Sequence, residues 1–159
     1  MNLRIGFGVD VHRLKSGLPL MVGGIQVPSP KGAEGHSDAD VLLHAICDAI
    51  LGACNMRDIG FHFSDRDPQL KGIDSSILLE NVMKLIEEKQ FYVINLDSTV
   101  ILETPKLSSY IPLMQERISQ LLKIPVDCVS IKATTHELVD SFGLQQAIKA
   151  YATVLLNKG

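Results

Sequence analysis

The chain has 159 residues, 46% hydrophobic and 21% charged, which is enough for one domain with a sizeable core and too apolar for disorder. A formal net charge of -3 and the lack of any Lys or Arg run exclude a nucleic-acid surface and a polybasic membrane patch. No apolar segment approaches the ~20 residues that span a bilayer, and no signal or transit pattern precedes the first strand, so a cytoplasmic protein with no membrane partner is expected. Cys47, Cys54 and Cys128 are odd in number and lack CxxC spacing, which predicts free thiols in a reducing compartment.

Residues 3–12 alternate Ile5, Phe7, Val9 and Val11 with other residues, predicting a strand that ends in Asp10-Val11-His12. After a turn at Ser16-Gly17-Leu18-Pro19, the apolar run from Leu20 to Val27 is expected to complete a hairpin. Pro28, Pro30 and Gly32 mark a loop leading to His36. Val41, Leu42, Ala45, Ile46, Ala49 and Ile50 then recur at helical spacing, and Ser37 with Asp40 resembles a capping box, so a helix is predicted from about Asp38 to Ala53. Residues 58–68 show no sustained period and read as a loop dense in Asp.

A second amphipathic helix is predicted from Ile77 to Glu88, with Asp74-Ser75 as its cap. A long strand over 91–103 ends at Glu103-Thr104-Pro105-Lys106, and a helix over 111–122 carries Pro112 in its first turn. Strands follow over 126–135 and 147–156. The order β β α α β α β β describes an α/β (α+β) domain, a single sheet with helices on one face. The other face is apolar and needs a cover, which predicts packing against further copies of the chain.

Counting in fours from Asp40 gives His44 and Asp48, a polar stripe on a helix otherwise built for a core. Asp10 and His12, at i and i+2 of the first strand, project from one face. Together with His44 they form an Asp, His, His set suited to zinc or a similar divalent ion, with a coordination position left open. No local motif such as HExxH supports it, so a pair of unrelated, hydrogen-bonded histidines stands as the alternative. Asp40 and Asp48 read as helix caps or orienting groups rather than ligands.

Four separated motifs come in a recognisable order: Gly6-Phe7-Gly8-Val9-Asp10-Val11-His12-Arg13; Gly35-His36-Ser37-Asp38-Ala39-Asp40 through His44 to Gly52-Ala53; Asp58-Ile59-Gly60 through Phe63-Ser64-Asp65 and Asp67-Pro68 to Asp74-Ser75; and Lys132-Ala133-Thr134-Thr135-His136-Glu137. Over essentially the whole chain they resemble the 2-C-methyl-D-erythritol 2,4-cyclodiphosphate synthase family. The resemblance implies one cyclodiphosphate synthase domain over residues 1–159, in an enzyme of the non-mevalonate isoprenoid pathway. That enzyme is a phosphorus-oxygen lyase that converts 4-diphosphocytidyl-2-C-methyl-D-erythritol 2-phosphate to the cyclic diphosphate and releases CMP. It also implies a homotrimer with sheets around the threefold axis and active sites between subunits. Zinc is implied on Asp10, His12 and His44, and magnesium or manganese on the substrate diphosphate with Glu137 as ligand. His36 and Thr135 take the catalytic, transition-state-stabilising positions. Substrate contacts are implied for Asp10, His12, His36, Ser37, Asp58, Ile59, Gly60, Phe63, Asp65, Asp67, Thr135 and Glu137. Thr104, Pro105, Lys106, Ala133 and Thr134 fall in the cytidine pocket of the adjacent subunit.

The resemblance breaks after Glu137. The family pattern x-Leu-Gly-x-x-Gly-Arg-Gly-Glu-Gly is replaced by the run from Leu138 to Ala147, which puts Leu144 at the Arg and Gln146 at the Glu. In the family these two lie near the threefold axis, where an isoprenoid diphosphate can occupy a central cavity, and leucine has no guanidinium fork. Two other readings follow from the same residues: a zinc hydrolase with Asp58 or Asp65 as base, and a nucleotide-binding trimer without turnover.

Overall fold

The computed structural model describes residues 2–64 and 66–159. In chain order the elements are β1 (Leu3–Ser16), β2 (Leu20–Val22), β3 (Ile25–Val27), β4 (Lys31–Glu34), α1 (Val41–Ala53), α2 (Ile59–His62), α3 (Ser75–Glu87), β5 (Phe91–Ile101), α4 (Ile111–Leu122), β6 (Val129–Thr134), α5 (Asp140–Gly143) and β7 (Ala147–Lys158). Five strands form one mixed sheet in the order β4-β1-β7-β5-β6, with β5 and β6 parallel and the remaining pairs antiparallel.

The alternation along β1 determines where α1 can lie. Gly6 and Gly8 are buried while Ile5, Phe7, Val9 and Val11 face outward. A Cβ on Gly6 would sit 1.8 Å from the Ala49 carbonyl oxygen, and one on Gly8 2.0 Å from that of Ala45. The helix backbone therefore rests directly on the strand, an approach that only glycine permits. On its other sides α1 is packed by β7 and α3, and it buries Leu42, Leu43, Ile46, Ile50 and Leu51 completely.

Three sequence expectations need correction. Residues 20–27 do not pair with β1: they fold into their own hairpin, a second two-stranded sheet, while β1 continues to Ser16 and pairs with β4. The reason is Gly23 and Gly24, at φ 64° and 76°, which turn the chain in mid-run and donate both N–H groups to the Asp40 carboxylate at 2.9 and 2.7 Å. The helix starts at Val41, not Asp38. Ala39 sits at φ 57°, which no helix continues through, and Asp40 is the cap, accepting from the N–H groups of Leu42 and Leu43. Residues 126–128 form a 3-10 turn, so that strand begins at Val129. Within 58–68, Asp58 and Asp67 cap α2 and a 3-10 turn at Pro68–Leu70, and α5 also lacked a sequence signal.

The sheet face opposite the helices is bare in the single chain. Ile5 is 74% and Phe7 62% exposed, and Phe7 stacks on Tyr151 with ring centroids 6.1 Å apart. No helix among the described residues is long and apolar enough to cross a membrane.

Candidate active site

Because α1 lies so close on β1, His44, one turn into the helix, faces Asp10 and His12 on the strand. His12 Nε2 is 2.9 Å from Asp10 Oδ2, His44 Nδ1 is 3.1 Å from the same oxygen, and the two ring nitrogens are 3.2 Å apart. These three atoms form the only group of three or more His, Cys, Asp or Glu ligand atoms gathered this closely among the described residues. Donors about 2.0–2.1 Å from a tetrahedral zinc sit roughly 3.3 Å from one another, so the trio fits a single divalent ion with little adjustment. His12 Nδ1 lies 3.1 Å from the Glu34 carbonyl oxygen, which can only accept, and this leaves Nε2 free to face the trio.

Electrostatics follow the geometry. Burial alone would raise the Asp10 carboxyl, but hydrogen bonds and charge from His12 and His44 outweigh it and hold it down at about 2. Burial pulls His44 down, but its hydrogen bond to Asp10 together with the charges of Asp10, Asp40 and Asp38 outweighs this, so its net shift is upward. Asp40, wholly buried, is pushed up by burial, with the backbone N–H groups of Gly24, Leu43 and Gly23 opposing.

A cavity of about 390 Å³ opens beside the trio, lined by His12, His36, Ser37, His44, Gly60 and Phe63 among others. Its far wall is built from Ile59, Gly60, Phe63, Ser64, Leu70 and Ile73. Asp48, one turn beyond His44, accepts the Ile59 N–H at 2.7 Å, and His36 Nε2 donates to the Asp67 carbonyl at 3.2 Å. Asp58 is exposed at the start of α2, where Oδ1 accepts from the Phe61 N–H. Asp65 lies outside the described residues.

The other sequence-predicted residues gather elsewhere. Lys106, Ala133, Thr134 and Thr135 line a second cavity of about 300 Å³, with Leu102, Leu107 and Ser108. Thr104 bonds to Gln145, and Thr135 to Glu137, whose φ is 51°. The two cavities share no lining residue, and Glu137 is not in the metal-type trio. Within one chain, then, His36 and Thr135 belong to different clusters.

One residue that the sequence presented only as a cap group is in the site. Ser75 Oγ lies 2.8 Å from His44 Nε2 and also bonds to Asp38. Ser37, expected both in a capping box and among the substrate contacts, does not cap the helix and places its hydroxyl 3.1 Å from the same nitrogen.

A profile of the YgbB family matches residues 3–157. The 2-C-methyl-D-erythritol 2,4-cyclodiphosphate synthase of Cytophaga hutchinsonii is 52% identical over 158 residues, covering 99% of this chain and 99% of that protein. Among solved structures, the bifunctional IspDF of Campylobacter jejuni matches with a TM-score of 0.95 at 34% identity. That match covers 99% of this chain but 43% of the longer bifunctional one. The CDP complex of Plasmodium falciparum IspF matches with a TM-score of 0.87 at 33% identity, covering 99% and 97%. A family profile spanning nearly the full length and a relative identical at half its positions agree with the trio and its cavity, and the chain belongs to the YgbB family, that of the 2-C-methyl-D-erythritol 2,4-cyclodiphosphate synthases.

Proposed function

We propose that this chain, one synthase domain over residues 1–159, cyclises 4-diphosphocytidyl-2-C-methyl-D-erythritol 2-phosphate to 2-C-methyl-D-erythritol 2,4-cyclodiphosphate, a step of the non-mevalonate isoprenoid pathway. The observation that carries this reading is the Asp10, His12, His44 trio open to a cavity of about 390 Å³, in a chain of this family. The reaction is that of a phosphorus-oxygen lyase. A 2-phosphate oxygen of the substrate attacks the β-phosphorus, the bond from that phosphorus to the oxygen bridging to the α-phosphorus breaks, and CMP departs with the electron pair. The substrate brings its own nucleophile, so the protein's tasks are to fold it into a ring and to neutralise charge.

Asp10, His12 and His44 hold zinc, which supplies Lewis acidity to a phosphate oxygen when bound. Glu137 is the protein ligand for magnesium or manganese on the diphosphate. His36 and the Ser37 region, at the cavity mouth, donate to phosphate oxygens. Asp58, Ile59 and Gly60 hold the methylerythritol hydroxyls, with Phe63 on the same wall and Asp67 beside His36, and Asp65 is a further substrate contact. The second cavity, lined by Lys106, Ala133 and Thr134, receives cytidine with Thr104 and Pro105, which precede Lys106 in the chain, and Thr135, also on its wall, stabilises the transition state. CDP bound to the Plasmodium falciparum relative supports a cytidine site in this fold. The proposed complete site lies between subunits of a homotrimer, a reading supported by two cavities that share no lining residue and by the bare sheet face. Leu144 is 63% exposed and has no guanidinium, so an isoprenoid diphosphate in a central cavity would be held without that contact. Three unpaired thiols fit the cytoplasm.

Phosphorus NMR of the product, with and without a chelator, tests the reading. The expected result is equal amounts of CMP and cyclic diphosphate, lost on chelation and restored by metal. A linear phosphate product would point to a hydrolase, and CMP binding without turnover to a binding protein; either overturns the cyclase.

A further inference from the structure

His44 presents two nitrogens to two different surroundings. Nδ1 faces Asp10 and His12, while Nε2 faces the hydroxyls of Ser75 at 2.8 Å and Ser37 at 3.1 Å. A neutral imidazole carries one proton, so only one nitrogen can offer a lone pair to a metal. Without metal the Asp10 carboxylate draws that proton to Nδ1; a cation on Nδ1 moves it to Nε2, where Ser75 receives it. The Ser75 O–H is directed at Asp38 Oδ1, an acceptor with nothing to donate, so Ser75 Oγ has only lone pairs left for the ring. Ser37 Oγ, within 3.4 Å of Ser75 Oγ, accepts the Ala39 N–H. With a cation on the trio the proton of His44 therefore sits on Nε2, against a hydroxyl that can accept it, and the lone pair of Nδ1 points between Asp10 and His12.

We infer that Ser75 and Asp38 are positioning residues of the metal site, a carboxylate–hydroxyl–imidazole relay that fixes His44 in its Nε2–H tautomer and aims Nδ1 at the ion. The inference rests on reading Asp10, His12 and His44 as metal ligands. The relay is held from both ends. Ser75 is completely buried at the first position of α3, its N–H donates to Asp38 Oδ2 at 3.1 Å, and the Asp38 N–H donates to the Ile73 carbonyl at 3.0 Å. Asp74 caps that helix through the Ser76 N–H, which releases the Ser75 hydroxyl from any capping duty. His12 has the same arrangement with opposite atoms, since the Glu34 carbonyl takes Nδ1–H and Nε2 faces the trio. Each imidazole thus has a pure acceptor, or a hydroxyl committed as one, behind it, and groups of this kind govern ligand orientation and basicity. The clasp at Ile73 and Ser75 also fixes the end of the cavity wall, so Asp38 joins the metal trio to that wall.

Two measurements on the full chain test this. Long-range proton–nitrogen NMR of zinc-loaded protein should show His44 bound through Nδ1, with its Nε2–H slow to exchange. In Asp38→Ala the Ser75 hydroxyl is free to turn away and that proton should exchange faster. Zinc affinity, read by competition with a chromophoric chelator, should fall about 10- to 100-fold in Asp38→Ala and in Ser75→Ala. It should recover in Ser75→Thr, and adding Asp38→Ala to Ser75→Ala should cost little more, because Asp38 acts through Ser75. Zinc bound through Nε2 of His44 in the unaltered chain, or unaltered zinc affinity in both single variants, overturns the relay alone. Absence of zinc binding by the unaltered chain overturns the metal reading of the trio and the relay with it.

Discussion

At the scale of single residues, Asp10 is the group whose environment does most. Its carboxyl sits at about 2 against an ordinary 3.8, because contacts with His12 and His44 exceed the penalty of burial. The folded chain thus holds this proton less tightly than the unfolded chain. The resulting stabilisation, on the order of 2 kcal/mol and shared with the histidines, is fully present above about pH 4 and lost as pH falls towards 2. Urea unfolding of chelator-treated protein at about pH 5 and about pH 2.5 should show a larger loss of stability in the parent chain than in Asp10→Asn. Equal losses would mean that the imidazoles do not hold the carboxylate. The trio was legible because the strand spacing of Asp10 and His12 and the helix position of His44 are local patterns. Ser75 was not, because its partner His44 is 31 residues away and nothing local distinguishes it from a capping serine. Ser37 misled for the opposite reason: its local pattern is that of a cap, but the cap is Asp40.

Among the elements, the contact of α1 with β1 sets the geometry of the site. A Gly8→Ala Cβ would fall 2.0 Å from the Ala45 carbonyl oxygen, so helix and strand must separate, and His44 is the neighbour of the displaced residue. Overpacking of this kind costs about 1–3 kcal/mol, and zinc affinity should drop with it. Gly52, on the same helix, is exposed and has no neighbour within 4 Å of where a methyl group would stand, so Gly52→Ala should leave zinc binding unchanged and stabilise by roughly 0.5–1 kcal/mol. Thermal melts and zinc titrations of the two variants separate close approach from helix propensity; similar behaviour of both would refute the packing account. Long helices and strands were legible through their apolar periods. The β2–β3 hairpin was not, since its apolar run is broken only by Gln26 and by two glycines whose turn depends on Asp40, distant in sequence. α2 and α5 are each four residues long, too short to carry a helical period.

For the whole molecule, the proposed site completed by a second copy would account both for the bare apolar sheet face and for the division of site residues between two cavities. The apolar face was legible from the strand alternation, whereas the separation of His36 from Thr135 was not, because motif order along a chain carries no information on which copy supplies each motif. A complementation experiment distinguishes shared from self-contained sites. His44→Ala removes a trio ligand and Lys106→Ala alters the second cavity, so each variant alone should lose most activity. If sites are shared, co-expressed mixed assemblies contain some sites built from the intact trio of one copy and the intact second cavity of another, and part of the activity returns. If each chain completes its own site, every site carries one defect and mixing restores nothing. Phe7→Glu, which places a charge in the outer face, should yield monomers by light scattering that still bind zinc, since the trio is internal to one chain, but no longer release CMP. Retained CMP release by such monomers would show that a single copy suffices.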